Sequence, residues 1–246
     1  MIKKVKKLLR STVLKLSGFD LSSLRTQVTD DFVDQKKILH GRNVITIFDV
    51  GANVGQTTKK YRKLFPKATI YGFEPYHHIF HEYAKDFSAD KRIKPFNIAL
   101  SNNNGKSLFY INDNHYTNSL MPINKNNGKD TLSNITIDKI DVTTETIDSF
   151  CFRNGIDQID ILKIDVQGGE LLVLEGAKDK LKNGEVTLIY TEVEFSPLYV
   201  NQPLFNDIEK YLLEFGFKLN KIYYEKNNVS GKFISGNAIF TKELLK

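Results

Sequence analysis

The sequence predicts an α/β domain with a doubly wound, mostly parallel sheet, and three segments carry that prediction. Ile45 to Gln56 runs from an apolar strand through a loop of small residues into a helix. Thr69 to Phe73 is a second apolar strand, ending on Glu74 and Pro75. Ile159 to Ala177 passes from an apolar strand through a glycine pair into a helix. Continuous apolar strands of this kind are buried on both faces of a parallel sheet.

In the first segment Ile45, Ile47, Phe48 and Val50 form the buried run, and Gly51 and Gly55 permit strained dihedrals and close approach of a ligand to the main chain. Asn53 stands where the dinucleotide fingerprint needs a glycine against the pyrophosphate, which argues against NAD or FAD. No lysine followed by Ser or Thr comes after the glycines, which excludes a P-loop. Glu74 lies about 20 residues beyond the loop, at a strand tip that Pro75 breaks, and is placed to accept both hydroxyls of a ribose. An adenosine-like ligand without a pyrophosphate is therefore expected, and S-adenosylmethionine fits. Gly51, Asn53, Gly55, Gln56, Glu74 and Ala99 are its expected contacts. Asp49 has two readings: a partner of the donor's amino group, or a structural carboxylate that ties down the loop.

The remaining elements follow in order. Helices are expected over Gln56 to Leu64 and Tyr76 to Phe87, and a third strand over Arg92 to Leu100. Alternating apolar and polar residues at Leu108 to Ile111 and Ile135 to Val142 mark a β insertion at about 105–145. The Asn-rich loop inside it is expected to stay mobile until an acceptor arrives beneath His115 to Met121. Helices over Thr146 to Arg153, Glu170 to Leu181 and Leu204 to Phe215 flank a strand at Thr187 to Glu194. Lys218 to Tyr224 and Asn237 to Thr241 are expected to add an antiparallel pair at the sheet's edge.

Taken together, D-V-G-A-N-V-G-Q, G-F-E-P and L-K-I-D-V-Q-G-G-E-L-L-V-L-E-G-A, in this order between roughly Ile45 and Val193, resemble the FkbM-type S-adenosylmethionine-dependent methyltransferases. The resemblance implies a class I methyltransferase fold, Rossmann-like. It also implies methyl transfer to an oxygen, commonly a hydroxyl of a sugar, glycan, lipid-linked glycan or polyketide. Such a reaction needs a base for the acceptor's proton, worth about 10²- to 10⁴-fold in rate. Asp165, Glu192 and Glu194 end strands that should abut the glycine loop, and His115 lies in the Asn-rich loop, so Asp165, Glu192 and His115 are the candidate catalytic residues. A divalent cation, Mg²⁺ or Mn²⁺, held by Asp165 with Glu192 or Glu194, is the alternative to a direct base. Lys163 is expected to pack its stem along a strand flank, Glu170 to complement a helix dipole, and Cys151 to lie in the core. His77 and His81 share a helix face but lack a third ligand for a metal.

At 246 residues the chain suits one such domain after an extension to about residue 40. A single cysteine precludes an internal disulfide and points to a reducing, cytoplasmic compartment. No apolar run reaches the roughly 20 residues of a spanning helix. Ile2, Val5, Leu9, Val13 and Leu16 form one stripe of a basic amphipathic helix at the N-terminus, suited either to peripheral contact with the inner membrane face or to packing on this domain or a second copy. That helix concentrates the net charge of +6, so nucleic acid is not an expected partner. The expected function is O-methylation of a sugar, nucleotide sugar or glycan. Two alternatives stay open: a polyketide, lipid or small-metabolite acceptor, and a non-catalytic S-adenosylmethionine-binding protein.

Overall fold

The computed structural model describes residues 30–43, 46–124, 135–227 and 233–242, so the basic helix expected over Met1 to Leu16 lies outside the described residues. The strands are β1 (Thr46–Val50), β2 (Thr69–Phe73), β3 (Ile93–Phe96), β4 (Ala99–Leu100), β5 (Gly105–Asn112), β6 (Thr136–Glu145), β7 (Ile159–Ile164), β8 (Val186–Glu194), β9 (Phe217–Asn227) and β10 (Phe233–Lys242). The helices are α1 (Asp31–Ile38), α2 (Gln56–Leu64), α3 (His77–Asp86), α4 (Ile147–Asn154), α5 (Glu170–Glu175), α6 (Lys178–Lys182) and α7 (Phe205–Glu214).

Seven strands form the main sheet in the order β3-β2-β1-β7-β8-β10-β9. The first five of these run parallel; β10 is antiparallel to both of its neighbours and sits between β8 and the outermost strand, β9. Neighbouring residues on each strand serve opposite faces. Phe48, Leu162 and Ile189 pack with Phe150 of α4, Leu174 of α5 and Leu212 of α7, whereas Ile47, Ile161 and Leu188 pack with Phe32 of α1 and Tyr61 of α2. Each such side chain contributes about 1.5 to 3 kcal/mol when withdrawn from water.

The third strand differs from the expected span. It stops at Phe96, because Asn97 turns its amide to the carbonyls of Glu74 and Pro75, and Ala99–Leu100 then leave for a second, three-stranded sheet in the order β4-β6-β5. The helix expected over Glu170 to Leu181 is broken into α5 and α6 around Gly176, where an added Cβ would lie 2.0 Å from the Ser101 carbonyl oxygen.

The boundary drawn at residue 40 moves upstream as well. In α1, Phe32 is buried against Tyr61 and Tyr190, the Tyr190 hydroxyl donates to Asp31, and the Tyr61 hydroxyl donates to Gln35 at 2.9 Å. The helix is part of the packed unit and not of an extension.

Candidate active site

The C-terminal ends of β1, β2, β7 and β8 open into a cleft of about 1250 Å³, bounded on its far side by residues of the second sheet. Gly51 adopts φ +74°, and an added Cβ would lie 1.9 Å from the Asp165 carbonyl oxygen, so the loops after β1 and β7 meet backbone to backbone. Gly55 answers a different demand: with φ +85°, its Cβ would come 2.3 Å from Phe87, where α2 starts against the end of α3. Gly55 therefore seats a helix and does not line the cleft. Asn53 is left-handed at φ 48°, a conformation asparagine tolerates, and its own Oδ1 accepts from the Val54 amide at 2.8 Å. Gln56, Glu74 and Ala99 line the cleft as expected.

Glu74 is 6 % exposed, with Oε2 accepting from the Asn53 amide at 3.1 Å and Oε1 from the Tyr76 amide at 2.9 Å. Burial pushes its carboxyl up to about 7, against the opposing pull of those two amides.

Beneath the glycine loop lies a charge pair. Asp49 and Lys163 are direct partners across β1 and β7, with Lys163 Nζ 3.0 Å from Asp49 Oδ1 and both side chains almost wholly buried. The ammonium also donates to the carbonyls of Val50 at 3.1 Å and Gly51 at 2.8 Å. Burial disfavours its charge, but the carboxylates, Asp49 first and Asp165 next, outweigh burial and raise its pKa above the ordinary lysine value. The expectation that Lys163 packs its stem on a strand flank is corrected: its head group holds the end of β1. Asp49 does not line the cleft; its other oxygen accepts from Thr58 at 2.6 Å, so it secures the loop through Lys163 and not through the loop amides.

The loop after β7 carries Asp165, and β8 carries Glu192 beside it. Gln167 Nε2 donates to Asp165 Oδ1 at 2.9 Å and to Glu192 Oε2 at 2.7 Å, joining the ends of β7 and β8. Gln167 is itself left-handed at φ 59°, and Gly168 follows at φ 101°. Glu170, fully enclosed, accepts from the amides of Val166 at 3.0 Å and Gly168 at 2.9 Å. Burial pushes its carboxyl up to about 7. Glu170 sits in the first turn of α5, as its expected part in a helix dipole requires, and adds this clamp on the loop.

This arrangement does not fit a shared cation. An amide N–H stands between Asp165 and Glu192 where the ion would sit, Glu194 is 6 % exposed on the cleft wall, and among the described residues no three His, Cys, Asp or Glu are grouped to hold a metal.

The sequence that builds this site matches a known family. A model of the FkbM methyltransferase domain covers residues 49–219, the span that holds the glycine loop, Glu74, Gln167 and both acids. The chain belongs to the FkbM methyltransferase family. A relative described as the 2-O-methyltransferase NoeI of Sinorhizobium fredii is 28 % identical over 162 residues, 63 % of this chain and 66 % of the relative, just under two thirds of its length. The crystal structure of methyltransferase FkbM from Methylobacillus flagellatus KT superposes with a TM-score of 0.51 at 12 % identity, over 81 % of this chain and 44 % of that one. That likeness concerns the fold, and the class I methyltransferase architecture expected from the sequence is the one observed.

One expectation inside the FkbM domain changes, and another gains a position. His115 opens a short 3-10 turn, His115–Thr117, and its Nδ1 lies 3.3 Å from Asn53 Nδ2, which puts it over the glycine loop on the wall of the cleft that Asp165 and Glu192 also line. The loop expected to be mobile is tied down over its described part: Tyr110 and Ser119 exchange backbone bonds of 2.8 and 3.2 Å, Ser119 Oγ donates to the Gln167 carbonyl at 2.6 Å, and the Tyr199 hydroxyl donates to the Thr117 carbonyl at 2.9 Å. Gln167, the Lys163 head group and Tyr199 are the site residues that sequence reasoning missed. Cys151 is buried in the core, its thiol pushed up to about 12 by burial, as a packing residue would be. No helix among the described residues is long and apolar enough to cross a membrane.

Proposed function

We propose that this protein transfers the methyl group of S-adenosylmethionine to a hydroxyl of a sugar, nucleotide sugar or glycan. The observation that carries the reading is the pair of carboxylates, Asp165 and Glu192, held side by side at the cleft beside the glycine loop. When bound, the donor supplies an electrophilic methyl on a sulfonium, already activated for displacement. What the protein must add is alignment and a proton acceptor. On this reading Glu74 accepts the ribose hydroxyls, and Ile98, Ala99 and Leu100, which line the same cleft, offer an apolar wall to the purine. Asp165 or Glu192 receives the acceptor's O–H proton as the O–C bond forms and the S–C bond breaks, leaving a neutral thioether. Support for an oxygen acceptor comes from the relative described as a 2-O-methyltransferase; the polar, acidic end of the cleft suits a sugar.

Labelled donor offered with a panel of sugars, nucleotide sugars and glycans should label at least one of them, equally with and without EDTA. Label entering only lipids or polyketides would overturn the acceptor, and activity abolished by EDTA and restored by Mg²⁺ would overturn the direct base.

Glu74 yields a pH-dependent prediction. Ribose hydroxyls donate to the ionised carboxylate, so donor affinity should fall as pH drops below about 7, where the carboxyl takes up its proton. Glu74→Gln should weaken donor binding by roughly 1 to 3 kcal/mol at pH 8 and flatten that dependence. Calorimetry showing the same affinity in both proteins would remove Glu74 from the ribose.

A further inference from the structure

We propose that Gln167 is the positioning residue of the reaction: its amide, in the place a cation would occupy, holds Asp165 and Glu192 as one pair at the cleft. The inference rests on the methyl-transfer reading of the same site. Its geometry is over-determined. Both acids, when ionised, only accept hydrogen bonds, so the amide must present its nitrogen to them, and its two hydrogens match the two oxygens at 2.9 and 2.7 Å. The amide oxygen faces the other way, 3.2 Å from the Tyr199 hydroxyl, whose hydrogen it shares with the Thr117 carbonyl. The main chain is drawn into the same task. Gln167 sits at φ 59°, which disfavours a long side chain, and Ser119 Oγ and the Glu170 carboxylate hold the carbonyl and the flanking amides there. A residue needed only for the turn would be glycine, as Gly168 beside it is. A glutamine kept in that conformation is kept for its side chain. Lys163, 4.0 Å from the other oxygen of Asp165, supplies the positive charge that an uncharged amide lacks.

Gln167→Gly separates the two roles, because glycine suits the backbone and removes the amide. It should lower kcat about 10²-fold, the scale of a misplaced reacting group, with donor affinity within about twofold and no fall in Tm. Gln167→Glu keeps the length without the donors and should not rescue kcat. Turnover within about threefold of wild type in the glycine variant, or full rescue by glutamate, would reduce Gln167 to a loop former; a matching loss of donor affinity would place it in the donor site. A second measurement needs no acceptor. In ¹⁵N-labelled protein the two side-chain amide protons of Gln167 should resonate apart from the other glutamines, one moving in Asp165→Asn and the other in Glu192→Gln. Absence of both shifts would overturn the bridge, whereas failure of the wild type to methylate any sugar would overturn the acceptor reading and leave this result standing.

Discussion

Asp165→Asn is expected to lower turnover about 10²- to 10⁴-fold while donor affinity stays unchanged. Asp165 opens the loop after β7 and its main-chain carbonyl meets Gly51, so its carboxylate lies beside the glycine loop, and its side chain is 42 % exposed. Asparagine preserves size and the bond from Gln167 to one oxygen but cannot take a proton from a hydroxyl. Glu192→Gln should act in the same direction, and the double variant should cost little more than the worse single, because residues that act as a unit are not additive. Steady-state rates with titration calorimetry for the donor decide the matter. Near-normal turnover of Asp165→Asn would remove it from the chemistry and leave Glu192 as base.

The second large effect is on stability. Lys163→Met should destabilise the protein by about 3 to 5 kcal/mol, because it leaves the Asp49 carboxylate buried with its charge uncompensated. Lys163→Met combined with Asp49→Leu should recover most of that loss in urea unfolding, since two apolar groups of similar volume replace the pair. Donor affinity should not recover with it. The ammonium also binds the carbonyls of Val50 and Gly51, and no apolar substitute can hold the loop there. A single-variant cost below about 1 kcal/mol would mean that water reaches Asp49 once Lys163 is gone.

What could be read from the residues was what is local. The glycine loop, the acid at the tip of β2 and the apolar run of β7 each declare themselves within a dozen positions, and all three sit where they were expected. The Asp49 and Lys163 pair did not, because it depends on the β1–β7 register, which sets residues far apart in sequence side by side. A lysine inside a strand read alone looks like a flank. The bridge through Gln167 depends likewise on β7 and β8 aligning Ile164 with Thr191, which brings Asp165 and Glu192 to one level. Departure of Ala99–Leu100 for the second sheet had no signal in hydrophobicity, since both residues are buried in either place.

Strand order has a consequence for the protein's synthesis. β8, which carries Glu192 and Glu194, is covered on one side by β7, made before it, but on the other by β10, which follows β9 in the chain and separates it from β8. Until residues 233–242 have left the ribosome, β8 presents an open edge of backbone donors and acceptors, and β9 has no strand to join. A nascent chain stalled before that point would carry its donor loop and both acids, yet remain without the strand that steadies them. Chaperones that shield exposed strand edges should therefore engage this protein late in translation, after α7 and before β10 closes the sheet.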